Sequence, residues 1–370
     1  MIVKSLKLIN FRNYASTYVE FGSGVNFFVG KNAQGKTNLV EPIYILSTLK
    51  SFRNSKLPDC IMDNEPFCSI EAKILTQREG TKTIRFVLKR EGENEYFVNE
   101  NKLTKKREML SHLYTVVFSP DELKIVKGAP EVRREFLDTD ISQVSKIYCD
   151  LLDRYNLILL NRNKVLKFAK NSASVNNQLD VWDDQLAYVG SQITTTRQNF
   201  LAKISAHTKT IMERLTGGKE TLELEYVGVS GETREERTQK FLTGLKESRL
   251  KDLELGYTTI GPHRDDVKFF VNGREVKPFA SQGQQRTVVL ALKLAELETI
   301  KEEKESPVLI LDDVFSELDY SRQKLLLEYL EEKQIFVTST FLKKPSIKSY
   351  RKFRINSAKI KEENFKNQPL

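Results

Sequence analysis

The sequence predicts an α/β fold in which one parallel sheet takes strands from both ends of the chain, with helices inserted between them. Three observations predict it. A glycine-rich loop follows an apolar run at 25–38, a second apolar run ends in two aspartates at 308–313, and residues from about 119 onward have helical periodicity. Buried parallel strands have such continuous apolar runs. We therefore expect a head made of 1–118 and 256–370, with 119–255 as a second, helical lobe.

Composition limits the class of protein. The 370 residues, 29% charged and 39% hydrophobic, are enough for two or three globular domains. No apolar run approaches the ~18 residues of a membrane span, and the start "MIVKSLKLINF" is too short and too charged for a signal peptide. Cys60, Cys68 and Cys149 form no C-x-x-C pair, and only three histidines are present. We expect a cytoplasmic protein without disulfides or zinc.

The positive charge is concentrated near the end of the chain. The net charge is +9, and 343–370 contain nine Lys/Arg against two Glu. This surplus fits a polyanionic partner such as a nucleic acid, but a basic tail that only aids solubility fits equally well.

The three segments have different patterns. Segment 1–118 predicts strands in "IVKSLKLINF", "VNFFVG", "SIEAKIL", "TIRFVLKR" and "EYFVNENK", and one helix from Gly35 to about Leu49 that contains Pro42. In the middle, apolar positions recur every three or four residues from Ile141 to Ala169 and from Trp182 to Leu215. The polar break at 170–180 between these series predicts an antiparallel helix pair, the arm.

The remaining elements are predicted as follows. A strand covers 221–227, a charged helical segment covers 232–254, and "GPHRDD" (261–266) forms a turn that leads into a strand, with no function assigned. Then come a helix at 284–304, a strand at 308–312, a helix at 320–333, a strand at 335–340 and a last strand at 352–360. This alternation is typical of a nucleotide-binding core.

The loop "GKNAQGKTN" fits the phosphate-binding pattern G-x-x-x-x-G-K-[ST]. Gly30 and Gly35 allow a tight turn that directs N–H groups inward. Lys36 is a charge for phosphates, and the Thr37 hydroxyl is a magnesium ligand. The whole loop is the predicted nucleotide-binding segment: Gly30, Lys31, Asn32, Ala33, Gln34, Gly35, Lys36 and Thr37.

The run "VLILDD" predicts a buried strand with two carboxylates at its C-terminal edge, where ligands of open α/β sheets bind. Asp312 is the expected second magnesium ligand. Asp313 is placed to orient the attacking water and is, with Lys36, an expected catalytic residue. "SQGQQR" (281–286) opens a helix, with Ser281 as a plausible N-cap and Gly283 allowing close backbone approach.

With these motifs in order, the chain resembles the RecF family of bacterial recombination mediators, in the SMC-like branch of the ABC ATPases. The similar stretches span most of the chain: "NFRNY" (10–14), "GKNAQGKTNLVE" (30–41), "SFR" (51–53), "FSPDELKIVKGAPEVRREFLD" (118–138), "GPHRDD" (261–266) and "SQGQQR" (281–286). The resemblance implies an ABC-type ATPase head with an N-terminal β-rich lobe and an inserted helical arm.

The resemblance also implies a site shared between two subunits. The signature residues Ser281, Gly283 and Gln284 would cover the γ-phosphate of a partner's ATP, with Ser281 counted as catalytic. Asp319 of the D-loop would lie at the dimer seam. Arg12 and Asn13 match the N-terminal motif that reaches the nucleotide, and Arg53 is a further candidate; a surface arginine or a turn asparagine is the alternative for these three.

Three departures predict slow hydrolysis. The signature lacks the leading apolar residue and paired glycines of "LSGGQ", Asp313 stands where many relatives have glutamate, and Ser339 stands where transporters have a switch histidine. ATP would then mainly hold the dimer closed, and hydrolysis would release it.

The expected function is an ATP-dependent, clamp-like recombination mediator that binds gapped DNA or its junctions in repair, replication and the SOS response. Its expected cofactors are ATP and Mg²⁺, and its partners are DNA, a RecR-containing complex and a second copy of itself. The Lys/Arg of 102–108 and of the arm are candidate DNA contacts. The alternative is an SMC/ABC-like ATPase with a non-DNA or purely structural role.

Overall fold

Strands from both ends of the chain build the sheets that carry the phosphate loop. A computed structural model describes residues 1–53, 55–168, 173–314, 333–340 and 350–363, together with Gln323 and Leu326. Within them the strands are β1 Ile2–Phe11, β2 Tyr14–Glu20, β3 Val25–Val29, β4 Phe67–Thr76, β5 Gly80–Lys89, β6 Glu95–Val98, β7 Asn101–Lys102, β8 Thr115–Phe118, β9 Leu222–Val227, β10 Asp266–Val271, β11 Arg274–Glu275, β12 Val308–Asp312, β13 Ile335–Ser339, β14 Tyr350–Asn356 and β15 Lys359–Glu363. The helices are α1 Lys36–Thr48, α2 Lys106–Met109, α3 Leu123–Lys127, α4 Pro130–Val144, α5 Lys146–Phe168, α6 Ala173–Thr216, α7 Arg234–Glu247, α8 Arg249–Leu255, α9 Val276–Phe279 and α10 Gln282–Glu303. The predicted helix at 320–333 and Asp319 lie outside the described residues, apart from Gln323, Leu326 and Lys333.

The predicted parallel sheet is present. Its order is β15-β14-β3-β13-β12-β8, and only the β14–β15 pair is antiparallel. The phosphate-loop strand β3 and the acidic strand β12 are therefore separated by one strand, β13. This confirms the fold class expected from the two apolar runs. Strand β8, "TVVF", has three apolar residues after Thr115 and is fully buried, and it was missed by the sequence analysis.

A second, antiparallel sheet has the order β2-β1-β4-β5-β6-β7. Apolar side chains from both sheets and α1 share one core. Aromatic rings from the two chain ends meet in it: Phe28 stacks on Phe336 at 6.1 Å and on Phe353 at 5.2 Å between ring centroids. Burial of such rings stabilises the assembly of the head from distant segments.

Two element boundaries were predicted wrongly. The single strand expected at 352–360 is a hairpin of β14 and β15, because Ser357 and Ala358 take left-handed φ values of 46° and 59° and reverse the chain. Most of the polar break expected at 170–180 is helical, because α6 begins at Ala173. This stretch contains neither glycine nor proline, and the side chains of Asn176, Asn177 and Gln178 are exposed, as on a solvated helix surface.

The chain divides into two compact units: Met1–Glu122 with Leu290–Leu370, and Leu123–Val289. The sequence analysis placed 256–289 with the head, whereas these residues belong to the second unit. The physical reason is strand pairing: β10 pairs antiparallel with β9 from Asp266↔Val227 to Val271↔Leu222. The "GPHRDD" stretch leads into β10 and therefore lies in the same unit.

The second unit contains the expected α5–α6 pair, held by buried charges. Arg162 is fully buried and donates to Asp183 Oδ1 at 2.6 Å, to Asp252 Oδ2 at 2.7 Å and to Thr258 Oγ1 at 2.8 Å. "GPHRDD" supplies a second polar group: Pro262 O accepts from Arg197, and His263 Nδ1 lies 2.7 Å from Tyr155 OH. Both sets tie the arm helices to the segment before β10.

In the described part of the chain, no helix combines the length and the apolar character that a membrane crossing requires.

Candidate nucleotide site

The loop Gly30–Gly35 joins β3 to α1 and turns through two left-handed residues, Ala33 (φ 61°) and Gly35 (φ 103°). Tyr14 OH donates to Gly35 O at 3.0 Å and fixes the end of the loop. A Cβ on Gly30 would lie 2.3 Å from Ile355 O, so only glycine fits beside β14. The loop backbone is thus held in a fixed conformation, and loops of this kind before a helix receive anions on their N–H groups.

Lys36 lies inside this loop. Its ammonium donates to Gly30 O at 2.8 Å and to Lys31 O at 2.9 Å. Burial lowers its pKa, and the nearby carboxylates of Asp313 and Asp312 oppose that shift. A cation is thus held where phosphates would enter, by acceptors that a phosphate can replace.

Thr37 and Asp312 are in direct contact. Thr37 Oγ1 donates to Asp312 Oδ1 at 2.7 Å, and Thr338 Oγ1 donates to the same oxygen at 2.6 Å. Burial raises the pKa of Asp312, and the hydrogen bonds from Thr338 and Thr37 counter that effect. A hydroxyl and a carboxylate at this separation are the hard oxygen ligands that Mg²⁺ prefers, so the donor set fits that ion.

Asp313 follows β12 in a left-handed conformation with φ 54°. Its N–H donates to Thr338 O at 3.3 Å and Thr338 Oγ1 at 3.1 Å. Such a conformation costs a residue with a side chain about 1–3 kcal/mol and is found preferentially at functional sites. The left-handed turn at Asp313 immediately follows Asp312, the last residue of β12.

Arg12 lies beside the loop, but its guanidinium binds a carboxylate of α1. It contacts both oxygens of Glu41, at 3.1 Å and 2.7 Å, and Glu41 is fully buried. Arg53 donates to Asn38 Oδ1 at 2.7 Å, with its Nη1 3.9 Å from Glu41. The predicted nucleotide contacts of Arg12 and Arg53 stay predictions, whereas their pairing with Glu41 is a structural role that the sequence analysis did not foresee.

Asn13 is held against the loop. Its Oδ1 accepts from Asn38 Nδ2 at 2.8 Å, and its side chain is 2.9 Å from where a Cβ on Gly35 would lie. Gln34 is fixed by the β14–β15 turn, since its side-chain oxygen accepts from Ser357 N at 2.7 Å and its carbonyl accepts from Ala358 N at 3.0 Å. Asn32 O accepts from Gln34 Nε2 at 3.5 Å. The loop is therefore braced by both chain ends.

Comparison with known proteins identifies the family. The sequence model described as RecF/RecN/SMC N terminal domain matches residues 2–360. The "DNA replication and repair protein RecF" of Alkaliphilus oremlandii is 43% identical over 347 residues, which cover 92% of this chain and 94% of that protein. The chain belongs to the RecF family.

Solved RecF structures have the same fold. The "recombination mediator protein RecF-ATPrS in RecFOR pathway" superposes with a TM-score of 0.91 at 37% identity, covering 97% of both chains. The corresponding "RecF-ATP" structure gives 0.91 at 36% identity and covers 98% of both. The RecF-type ABC ATPase head with a helical arm is thus confirmed as the fold class.

The signature residues of this RecF-family chain lie at the start of α10, in the second unit. Ser281 caps the helix as predicted: its Oγ accepts from Gln284 N at 3.2 Å, and Gln284 Oε1 accepts from Ser281 N at 2.9 Å. This reciprocal pair is a capping box. Ser281 and Gly283 are exposed, and Gln284 is half-buried. Asp319, the residue expected at a dimer seam, lies outside the described residues.

Sequence analysis missed two members of the RecF-type head site. Thr338, in "IFVTST", holds Asp312 from the neighbouring strand β13, next to Ser339, whose carbonyl accepts from Gly30 N at 3.3 Å. Glu41 was a signal in the sequence: a carboxylate inside the apolar run "LVEPIYIL" needs a buried cationic partner.

Proposed function

We propose that this chain is an ATP-dependent, clamp-like recombination mediator, in which two copies close on each other with ATP and grip gapped DNA during repair and replication. Family membership supports the proposal, since its relatives are named for DNA replication and repair and for the RecFOR pathway. The observation that carries it is the 2.7 Å contact between Thr37 and Asp312, which joins the phosphate loop to the acidic strand.

Each residue of the head site has a role in that proposal. Lys36 neutralises phosphate charge, and the backbone N–H groups of the loop bind phosphate oxygens. Thr37 and Asp312 hold Mg²⁺, directly or through water. Asp313 orients the water that attacks the terminal phosphate. Bound ATP would supply the anhydride bond that is hydrolysed.

The signature is proposed to act on the nucleotide of the partner subunit. The exposed Ser281 and Gly283 stand at the N-terminus of a 22-residue helix, where the helix dipole favours an anion. Ser281, Gly283 and Gln284 would then contact the γ-phosphate from across the dimer. ATP would hold the two copies together, and slow hydrolysis would release them.

DNA is proposed to bind through its phosphates. Of the candidates at 102–108, Lys102 is 60% exposed although its ammonium lies 2.8 Å from Glu95, so DNA would compete with a weak surface pair. Binding through phosphates makes affinity steeply salt-dependent and weakly dependent on sequence. A RecR-containing complex is the proposed protein partner, and the cytoplasm the proposed location.

The test is ATP turnover measured without DNA, with intact duplex and with gapped duplex of equal length. The proposal predicts slow turnover that gapped DNA stimulates and that Asp313→Asn abolishes. Turnover that ignores DNA would favour an ATPase with another substrate. ATP binding without any turnover would favour a structural role for the nucleotide.

A further inference from the structure

The oxygen and the nitrogen of the Gln284 side-chain amide both form hydrogen bonds within the same chain. Its oxygen accepts from Ser281 N at 2.9 Å, as part of the capping box. Its amide nitrogen donates to Glu220 Oε1 at 2.8 Å. Sequence alone gives no reason to connect Glu220 with the signature, because 64 residues separate it from Gln284.

Glu220 is itself held firmly at the end of the arm helix α6. Its N–H donates to Thr216 Oγ1 at 3.2 Å, and that hydroxyl donates to Met212 O at 2.8 Å. Gly217 and Gly218 then reverse the chain with φ values of 62° and 77°, and Gly218 N donates to Glu213 O at 3.0 Å. Two residues after Glu220, the chain enters β9. The Glu220 carboxylate therefore lies on a turn whose conformation is fixed by these hydrogen bonds.

The two contacts leave one orientation for the Gln284 amide. A side-chain amide can rotate by half a turn and exchange its oxygen and nitrogen. Ser281 N–H requires an acceptor on one side, and the Glu220 carboxylate requires a donor on the other. A flipped amide would lose both hydrogen bonds. One N–H of the amide nitrogen is used by Glu220, and an amide carries a second.

We propose that Glu220 is a positioning residue for the signature. By accepting a hydrogen bond from the Gln284 amide nitrogen, Glu220 fixes the orientation of that amide at the N-terminus of α10. The second N–H of the nitrogen is then held ready to donate a hydrogen bond to a phosphate. Glu220 does not touch the nucleotide. This role rests on the proposed action of the signature on a partner's ATP, and it deepens that proposal by connecting Gln284 to the end of α6.

The test compares Glu220→Ala, Glu220→Gln and the control Glu223→Ala, which removes an exposed carboxylate from the adjacent strand β9. Four quantities are measured in the full chain: ATP affinity of the monomer, ATP-dependent dimerisation, kcat and the midpoint of thermal unfolding.

Glu220→Ala removes one hydrogen bond to a charged group, so we expect it to reduce kcat and dimer affinity by about 10-fold. Monomer ATP affinity and the midpoint should not change. Glu220→Gln, which keeps an acceptor, should stay within about 3-fold of the wild type.

Two results would overturn the role of Glu220. One is wild-type kcat and dimerisation in Glu220→Ala. The other is an equal loss in Glu220→Ala and Glu220→Gln with a lower unfolding midpoint, which indicates a merely structural contact. A further variant, Ser281→Arg, places a bulky side chain on the signature. It distinguishes failure of the positioning role of Glu220 from failure of the proposed function. If Ser281→Arg blocks turnover and Glu220→Ala does not affect it, only the positioning role fails; if Ser281→Arg turns over normally, the signature's action in trans fails and the positioning role fails with it.

Discussion

Thr37 Oγ1 and Asp312 Oδ1 are hydrogen-bonded at 2.7 Å although 275 residues separate them in the sequence. The parallel sheet creates this contact, because β3 and β12 end at the same edge with only β13 between them. Thr338 of β13 binds the same carboxylate oxygen. The magnesium site proposed here therefore depends on assembly of the head from both chain ends.

Thr37→Val keeps the shape of the side chain but removes the hydroxyl. We expect affinity for ATP in the presence of Mg²⁺ to fall by at least about 10-fold, as is typical when metal ligation is disturbed. Thr37→Ser, which retains the hydroxyl, should bind nearly as the wild type. Titration calorimetry with and without Mg²⁺ checks this, and an undiminished Mg²⁺ effect in Thr37→Val would argue against the ligand role.

Gly30→Ala should damage the phosphate loop by steric overlap. The added Cβ would lie 2.3 Å from Ile355 O, so loop or hairpin must shift, at a cost of about 1–3 kcal/mol in unfolding free energy. Gly24→Ala is the matched control, because no atom lies within 4 Å of its Cβ, and it should change stability by less than about 1 kcal/mol. Urea unfolding of both variants gives the comparison, and equal stabilities would show that the hairpin does not brace the loop.

Arg162→Met should destabilise the second unit strongly. It removes the cation that the buried carboxylates of Asp183 and Asp252 share. Asp183 keeps its ion pair with Arg249, but Asp252 loses its cation, and breaking such a buried pair typically costs about 3–5 kcal/mol. Lys240→Met removes a lysine from a pair with Glu236 in which both side chains are at least 42% exposed, and should cost less than about 1 kcal/mol. Thermal unfolding with a probe in α5 or α6 measures both; a small effect of Arg162→Met would mean that the cluster relaxes or takes up water.

His263 should make stability depend on pH. Burial lowers its pKa to about 4, with Arg264 and Arg134 acting in the same direction. Below about pH 6.5 the unfolded state therefore binds a proton on this histidine that the folded state does not bind. The free energy of unfolding falls as the pH drops from about 6.5 to about 4. The wild type should lose about 2 kcal/mol more between pH 7 and pH 5 than His263→Gln. Parallel losses in the two proteins would contradict this assignment.

Local patterns predicted several single elements. The loop after β3, the acidic strand β12 and the N-cap of α10 each carry their own signal, namely a glycine spacing, an apolar run ending in carboxylates, and Ser281 placed three residues before Gln284. The parallel sheet could be predicted from these runs because strands that are buried on both faces are apolar at every position, and such continuous runs are easy to recognise in a sequence.

Contacts between distant residues were not predictable in the same way. Arg162 sits in an amphipathic stripe, and nothing local shows that Asp183 and Asp252 converge on it. The same holds for Glu41 with Arg12, and for Gln34 with Ser357, because each pair depends on which elements the fold brings together. The position of 256–289 in the second unit likewise depends on the pairing of β9 with β10.

The central claim is that ATP bound at Lys36 closes two copies of the chain into a dimer. Sedimentation velocity of the full chain, with and without ATP and Mg²⁺, tests it most directly, with Lys36→Ala as the comparison. The account predicts that ATP shifts the wild type from monomer to dimer and leaves Lys36→Ala monomeric. A wild-type sedimentation coefficient that does not respond to saturating ATP would contradict it.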